Sequence, residues 1–191
     1  GEDQVPLARV YVAFRAPALG DTRLDAIDLA GQILTGGKGG RLPKRLVREE
    51  PLAQDVTVFL LPFVGGAGGC IGWATVRPGV EIAQVEAAYL EELEKLATEA
   101  PSDDELARAK ALTEADELGS LARVEERADR LSMYATLFDD PGLINTMLPR
   151  YLSVTGEQIR DAARATFRAD NRVVLTYVPK TPGPAGDETA D

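Results

Sequence analysis

A helix-periodic stretch over residues 81–167 stands between strand-like segments at either end of the chain, and this order limits the fold more than any other feature. From Glu81 onward, Ile82, Val85, Tyr89, Leu93 and Leu96 recur at spacings of three and four, which places them on one helical stripe. Pro101 ends that helix. Ser102 and Glu105 then form a capping box ahead of Leu106, Ala109 and Leu112. Gly119 and Ser120 are expected to bend or interrupt this second helix. Val124, Ala128, Leu131, Ala135 and Phe138 carry an apolar stripe on to Asp140 and Pro141. A second box, Thr155 with Gln158, opens a helix bearing Ile159, Ala162, Ala163, Thr166 and Phe167.

The flanks read as strands. Residues 7–14, LARVYVAF, concentrate β-branched and aromatic side chains before Pro17. Asp21 is placed to cap a helix with Leu24, Ile27, Ala30 and Leu34 on its apolar side, stopped by Gly36 and Gly37. Residues 41–49 read as a short helix with Pro43 in its first turn, and Pro51 marks the next boundary. Residues 56–63 and 70–76 are apolar and are joined by a glycine-rich connection, which predicts an antiparallel hairpin with a bulged or mobile rim at Gly65, Gly66, Gly68 and Gly69. Trp73 is expected to supply core area. Residues 172–178, RVVLTYV, read as a closing strand. The expectation is an α+β fold, an antiparallel sheet covered by helices, in a single domain over residues 1–178 with a flexible Pro-, Gly- and acid-rich tail over 179–191. A doubly wound nucleotide-binding fold fits less well.

Charge and composition narrow the function. With 31 acidic and 21 basic side chains the formal charge is -10, which disfavours a nucleic-acid or anionic-membrane surface. The basic set Arg41, Lys44, Arg45 and Arg48 reads as the wet face of a short helix. The lone Cys70 cannot form an internal disulfide and reads as a small buried hydrophobe, leaving the redox compartment open. No apolar stretch is long enough to cross a bilayer, so the chain reads as soluble with no membrane insertion. It opens on Gly1 rather than Met, which suggests a processed or excised segment. The run Gly36-Gly37-Lys38-Gly39-Gly40 lacks the ending of a phosphate loop and follows a helix rather than a strand. Asp103 with Asp104, and Asp139 with Asp140, sit where helix ends want caps, and neither pair belongs to a calcium loop. There is no histidine, hence no imidazole acid–base relay and no His-containing zinc site.

Five segments in order resemble one known domain. They are LARVYVAFRAPALGD, DAIDLAGQILTGG, RLPKRLVREEPLAQDV, the stretch from WATVRPGVEIAQVEAAYL to SDDELARAKA, and YLSVTGEQIRDAARATFRADNRVVLTYVP. Together they are similar to the C-terminal-type, non-zinc-binding domain of the peptidase M16 family, the insulinase or pitrilysin family, whose fold is shared with mitochondrial processing peptidase. The resemblance spans residues 7–179. It implies a partner, an N-terminal catalytic domain in the same parent chain or in another subunit, in which an HxxEH motif holds zinc and activates water against a peptide substrate. It implies no cofactor, no metal ligand and no catalytic residue in this chain. Domains of this type carry a pattern like SRLxxxLRxxxGLAY, whose Arg and Tyr help hold substrate. Here those positions fall at Val47 and Gln54. Gln54, its neighbour Asp55 and the nearby Arg48 are therefore the candidate substrate contacts, with polar termination of a short helix as the plain alternative for Gln54 and Asp55. The function implied is an accessory domain that closes a peptide chamber. The alternative is a structural or protein-interaction domain in a catalytically inactive complex of the same family.

Overall fold

The computed structural model describes residues 2–3 and 6–180, so residues 181–191 of the expected tail lie outside the described residues. The elements are β1 (Glu2–Asp3), β2 (Arg9–Ala16), α1 (Thr22–Thr35), a π-helical segment (Pro43–Glu49), β3 (Ala53–Leu61), β4 (Gly68–Val76), α2 (Ile82–Thr98), α3 (Asp103–Ala122), α4 (Val124–Phe138), α5 (Met147–Ser153), α6 (Gly156–Thr166) and β5 (Arg172–Pro179). The strands order as β1-β5-β2-β4-β3. Three of the pairings, β5–β2, β2–β4 and β4–β3, are antiparallel, and the two-residue β1 runs parallel to β5 at one edge. This is the α+β architecture expected from the sequence.

Strand alternation decides which face meets the helices. On β2, Val10, Val12, Phe14 and Ala16 are buried, and on β4 Cys70, Ala74 and Val76 are buried with them. Against this face lie Leu24, Ile27, Ala30 and Leu34 of α1, Val85, Tyr89 and Leu96 of α2, and Ile159 and Ala163 of α6. Tyr89 reaches furthest. Its hydroxyl donates to the Thr57 carbonyl at 3.1 Å across the sheet, through the space that Gly72 leaves by having no side chain. Burial raises the phenol well above its ordinary range. Burial likewise pushes the Cys70 thiol up to about 12.

The helix starts follow their sequence signals. Asp21 accepts from the Arg23 N–H, and Ser102 with Glu105 and Thr155 with Gln158 both close reciprocal capping boxes. Other readings need correction. Gly119 and Ser120 lie within α3, since one glycine costs a helix interior only about 1 kcal/mol. The break falls at Arg123, whose Nε and the Ser120 hydroxyl converge on the Glu126 carboxylate. The α4 stripe is largely in solvent, with Val124 69% exposed, and the one buried residue of the helix, Tyr134, lies off it. Nor is the basic set simply a wet face. Arg41 grips Glu105 at 2.7 and 2.9 Å, and Arg45 reaches Glu50, Glu91 and Glu92 at 3.0, 2.7 and 3.0 Å. Lys44 and Arg48 remain exposed. The short α5, with the 3-10 turn Pro141–Asn145 before it, has no counterpart in the sequence reading.

Candidate functional site

The sheet face opposite the helices is uncovered, and the strand register lays its side chains out in rows. Tyr177, Arg9, Thr75 and Asp55 form one row, Leu175, Tyr11, Trp73 and Thr57 the next, and Val173, Ala13, Ile71 and Phe59 a third. Val173 is 66% and Leu175 45% exposed, so the floor is apolar and open to water. Over the first rows runs a groove of about 700 Å³, with Arg9, Tyr11 and Tyr177 toward one side and Gln54, Asp55 and Thr75 toward the other.

A bulge in β3 explains how two consecutive residues share this groove. Pairing with β4 slips between Ala53 and Asp55, and both Gln54 and Asp55 are exposed and line it. Regular alternation would have sent them to opposite faces. Arg77 fastens the base of the bulge, donating from Nε to the Ala53 carbonyl at 3.0 Å and from Nη2 to the Val47 carbonyl at 3.5 Å. Asp55 is itself held, its Oδ1 accepting from Trp73 Nε1 at 3.1 Å. Arg48 is exposed on the π-helical segment and is not among the residues lining the groove.

Three groove-side residues escape the sequence reading. Arg9 donates from Nε to the Thr75 hydroxyl at 3.0 Å and from Nη1 to the Tyr11 hydroxyl at 3.3 Å. Its guanidinium carbon lies 5.9 Å from the Tyr11 ring centroid and 5.8 Å from that of Trp73, within cation–π range. Tyr11 also meets Tyr177 edge-on at 5.8 Å, and Trp73 meets Phe59 at 5.6 Å. Trp73 therefore belongs to this face and not to the core, because β4 buries its even-numbered residues from 68 to 76 on the other side. The signal was available: period-two alternation in RVYVAF puts Arg9 and Tyr11 opposite Val10 and Val12.

The donor set does not suit zinc. The chain has no histidine, and among the described residues no group of three or more Asp, Glu or Cys side chains could hold a metal ion. No described helix is long and apolar enough to cross a membrane. What the face offers is hydrogen-bonding groups and a cation above an apolar floor.

Comparison with known proteins supplies the context. A family model for the peptidase M16 inactive domain matches residues 1–113. Among solved structures, an inactive peptidase domain from Bordetella parapertussis is 25% identical with a TM-score of 0.82, the match covering 97% of this chain and 98% of that one. A protease from Helicobacter pylori is 19% identical with a TM-score of 0.85 over 94% of this chain, which spans only 43% of that protein's length. A peptidase M16 inactive domain from Pseudomonas fluorescens is 20% identical with a TM-score of 0.78, covering 94% of this chain and 42% of that one. Comparison with curated proteins finds no match.

Proposed function

The chain belongs to the peptidase M16 inactive-domain family, and on that premise we propose that it is the accessory half of a zinc metallopeptidase. It walls a peptide chamber and orients substrate for a separate HxxEH-bearing domain, in the same parent chain or in a partner subunit. The observation that carries this reading is the uncovered sheet face, where the β3 bulge turns Gln54 and Asp55 together into the groove. An extended peptide laid there meets the Gln54 amide, which can donate and accept, and buries its side chains on Leu175 and Val173. Fixing the scissile segment in this way lowers the entropic part of the barrier to a reaction whose zinc and general base lie in the other domain.

The test is zinc-dependent cleavage of a mixed peptide library by the complete assembly beside this chain alone. Activity should require the assembly, and Gln54→Ala should lower it about tenfold, chiefly through KM, with the fold intact. Cleavage by this chain alone would refute the accessory role.

A second reading, a structural or interaction domain in an inactive complex, draws on a different observation. The outer parts of α3 and α4 expose Leu118, Val124 and Leu137, at 53%, 69% and 45%. A folded, zinc-free assembly that cleaves nothing would favour it.

A further inference from the structure

We propose that the groove on the uncovered sheet face takes a peptide carboxylate, seated on the Arg9 guanidinium beside an apolar side chain that lies on Leu175 and Tyr177. The inference rests on the peptide-wall reading above and adds to it a chemical preference.

Arg9 is the reason. No carboxylate among the described side chains pairs with it; its described partners are two hydroxyls and two ring faces. Among the described residues, eleven of the thirteen ion pairs satisfy an Arg with a carboxylate, whereas Arg9 is in none of them. The guanidinium is also held in place, by the Thr75 hydroxyl, which is on a residue only 5% exposed, and by the Tyr11 and Trp73 rings. A pre-set planar fork is suited to a carboxylate, because little side-chain freedom remains to be lost on binding. Overall charge works against this: a chain of formal charge -10 repels anions in general, so the preference has to arise from the groove itself.

The surroundings sharpen the choice of occupant. Arg9 and Asp55 share a row with Thr75 between them, which separates their strands by about 10 Å. Asp55 accepts from Trp73 and makes no ion pair with Arg9. A carboxylate on Arg9 is thus attracted, while a second acid placed toward Asp55 is repelled. Exposed Leu175, in the row next to Arg9, and Val173 one row further on favour an apolar neighbour on the peptide. The occupant is an extended peptide with one carboxylate next to an aliphatic residue, whether that carboxylate is a side chain or the chain end.

Trp73 is the only tryptophan, and it sits on this face, so its emission reports occupancy directly. The experiment titrates the chain with three short peptides: an N-acetylated, C-amidated Leu-Glu-Leu peptide, its Gln counterpart, and that Gln peptide with a free C-terminus. One or both of the carboxylate peptides should bind about tenfold more tightly than the amidated Gln peptide. Which of the two does so separates the side-chain source from the chain end. Arg9→Gln should bring all three within about twofold, with circular dichroism unchanged, and Arg9→Lys should retain part of the preference by keeping charge without the fork. Equal binding of the three peptides by the unaltered chain would overturn the carboxylate preference and leave the peptide wall standing. Binding of none would overturn both.

Discussion

Tyr89 and Gly72 make a fit that neither residue makes alone. A Cβ at Gly72 would fall inside the Tyr89 hydroxyl and 2.7 Å from the Thr57 carbonyl, so a single methyl displaces a buried hydrogen bond. Gly72→Ala should cost roughly 2–3 kcal/mol in urea denaturation. Adding Tyr89→Phe should recover part of that loss by removing the clashing oxygen, a non-additivity that would be absent if the two positions were independent. None of this was legible in the sequence, where Gly72 is one glycine in an apolar run and Tyr89 a member of a helical stripe. Their meeting depends on how α2 crosses the sheet. Trp73 teaches the opposite lesson: its size suggested core, while its place in the alternation already put it on the other face with Arg9 and Tyr11. Gln54 and Asp55 could be singled out by position, but a bulge that turns both to one side is set by pairing with β4 and has no local signature.

Elements with chemical punctuation at their ends were the most readable. Asp21, Ser102 and Thr155 cap as their spacing implies, because each satisfies an N–H that the helix itself leaves without a partner. Glu105 does two jobs, closing the Ser102 box and receiving both arms of Arg41. The Arg41 guanidinium, more than the Ser102 contacts, holds its carboxyl down to about 2 against an ordinary 4.5. A depressed carboxyl stabilises the fold above its unfolded value and loses that contribution as pH falls from about 4.5 toward 2. Glu105→Gln should therefore cost about 2 kcal/mol at neutral pH, with the two proteins converging in stability near pH 2. A constant gap across that window would mean the carboxylate charge plays no part. The α3–α4 break was less legible, since the visible candidate was Gly119 and the actual device is the Glu126 carboxylate, which receives both Ser120 and Arg123. Short α5 carries too little periodicity to declare itself.

At the scale of the molecule, the order of strands and helices sufficed for the fold class, while the uncovered surfaces emerged only from the packing. The α4 stripe illustrates this. Its spacing is that of a core helix, yet Val124 lies in solvent, so Val124→Ser should change stability by less than about 0.5 kcal/mol in chemical denaturation. A large loss would place that side chain in a packed environment. The helix-covered side, by contrast, is closed around Cys70, the chain's one thiol, which is 2% exposed and protonated far above neutrality. An alkylating reagent needs both access and a thiolate, and the native state denies it both. Cys70 thereby acts as a clock for the protein's rarest excursions: where reclosing outruns the reagent, each modified molecule records one parting of helices from sheet, and a weakened core makes the clock run faster.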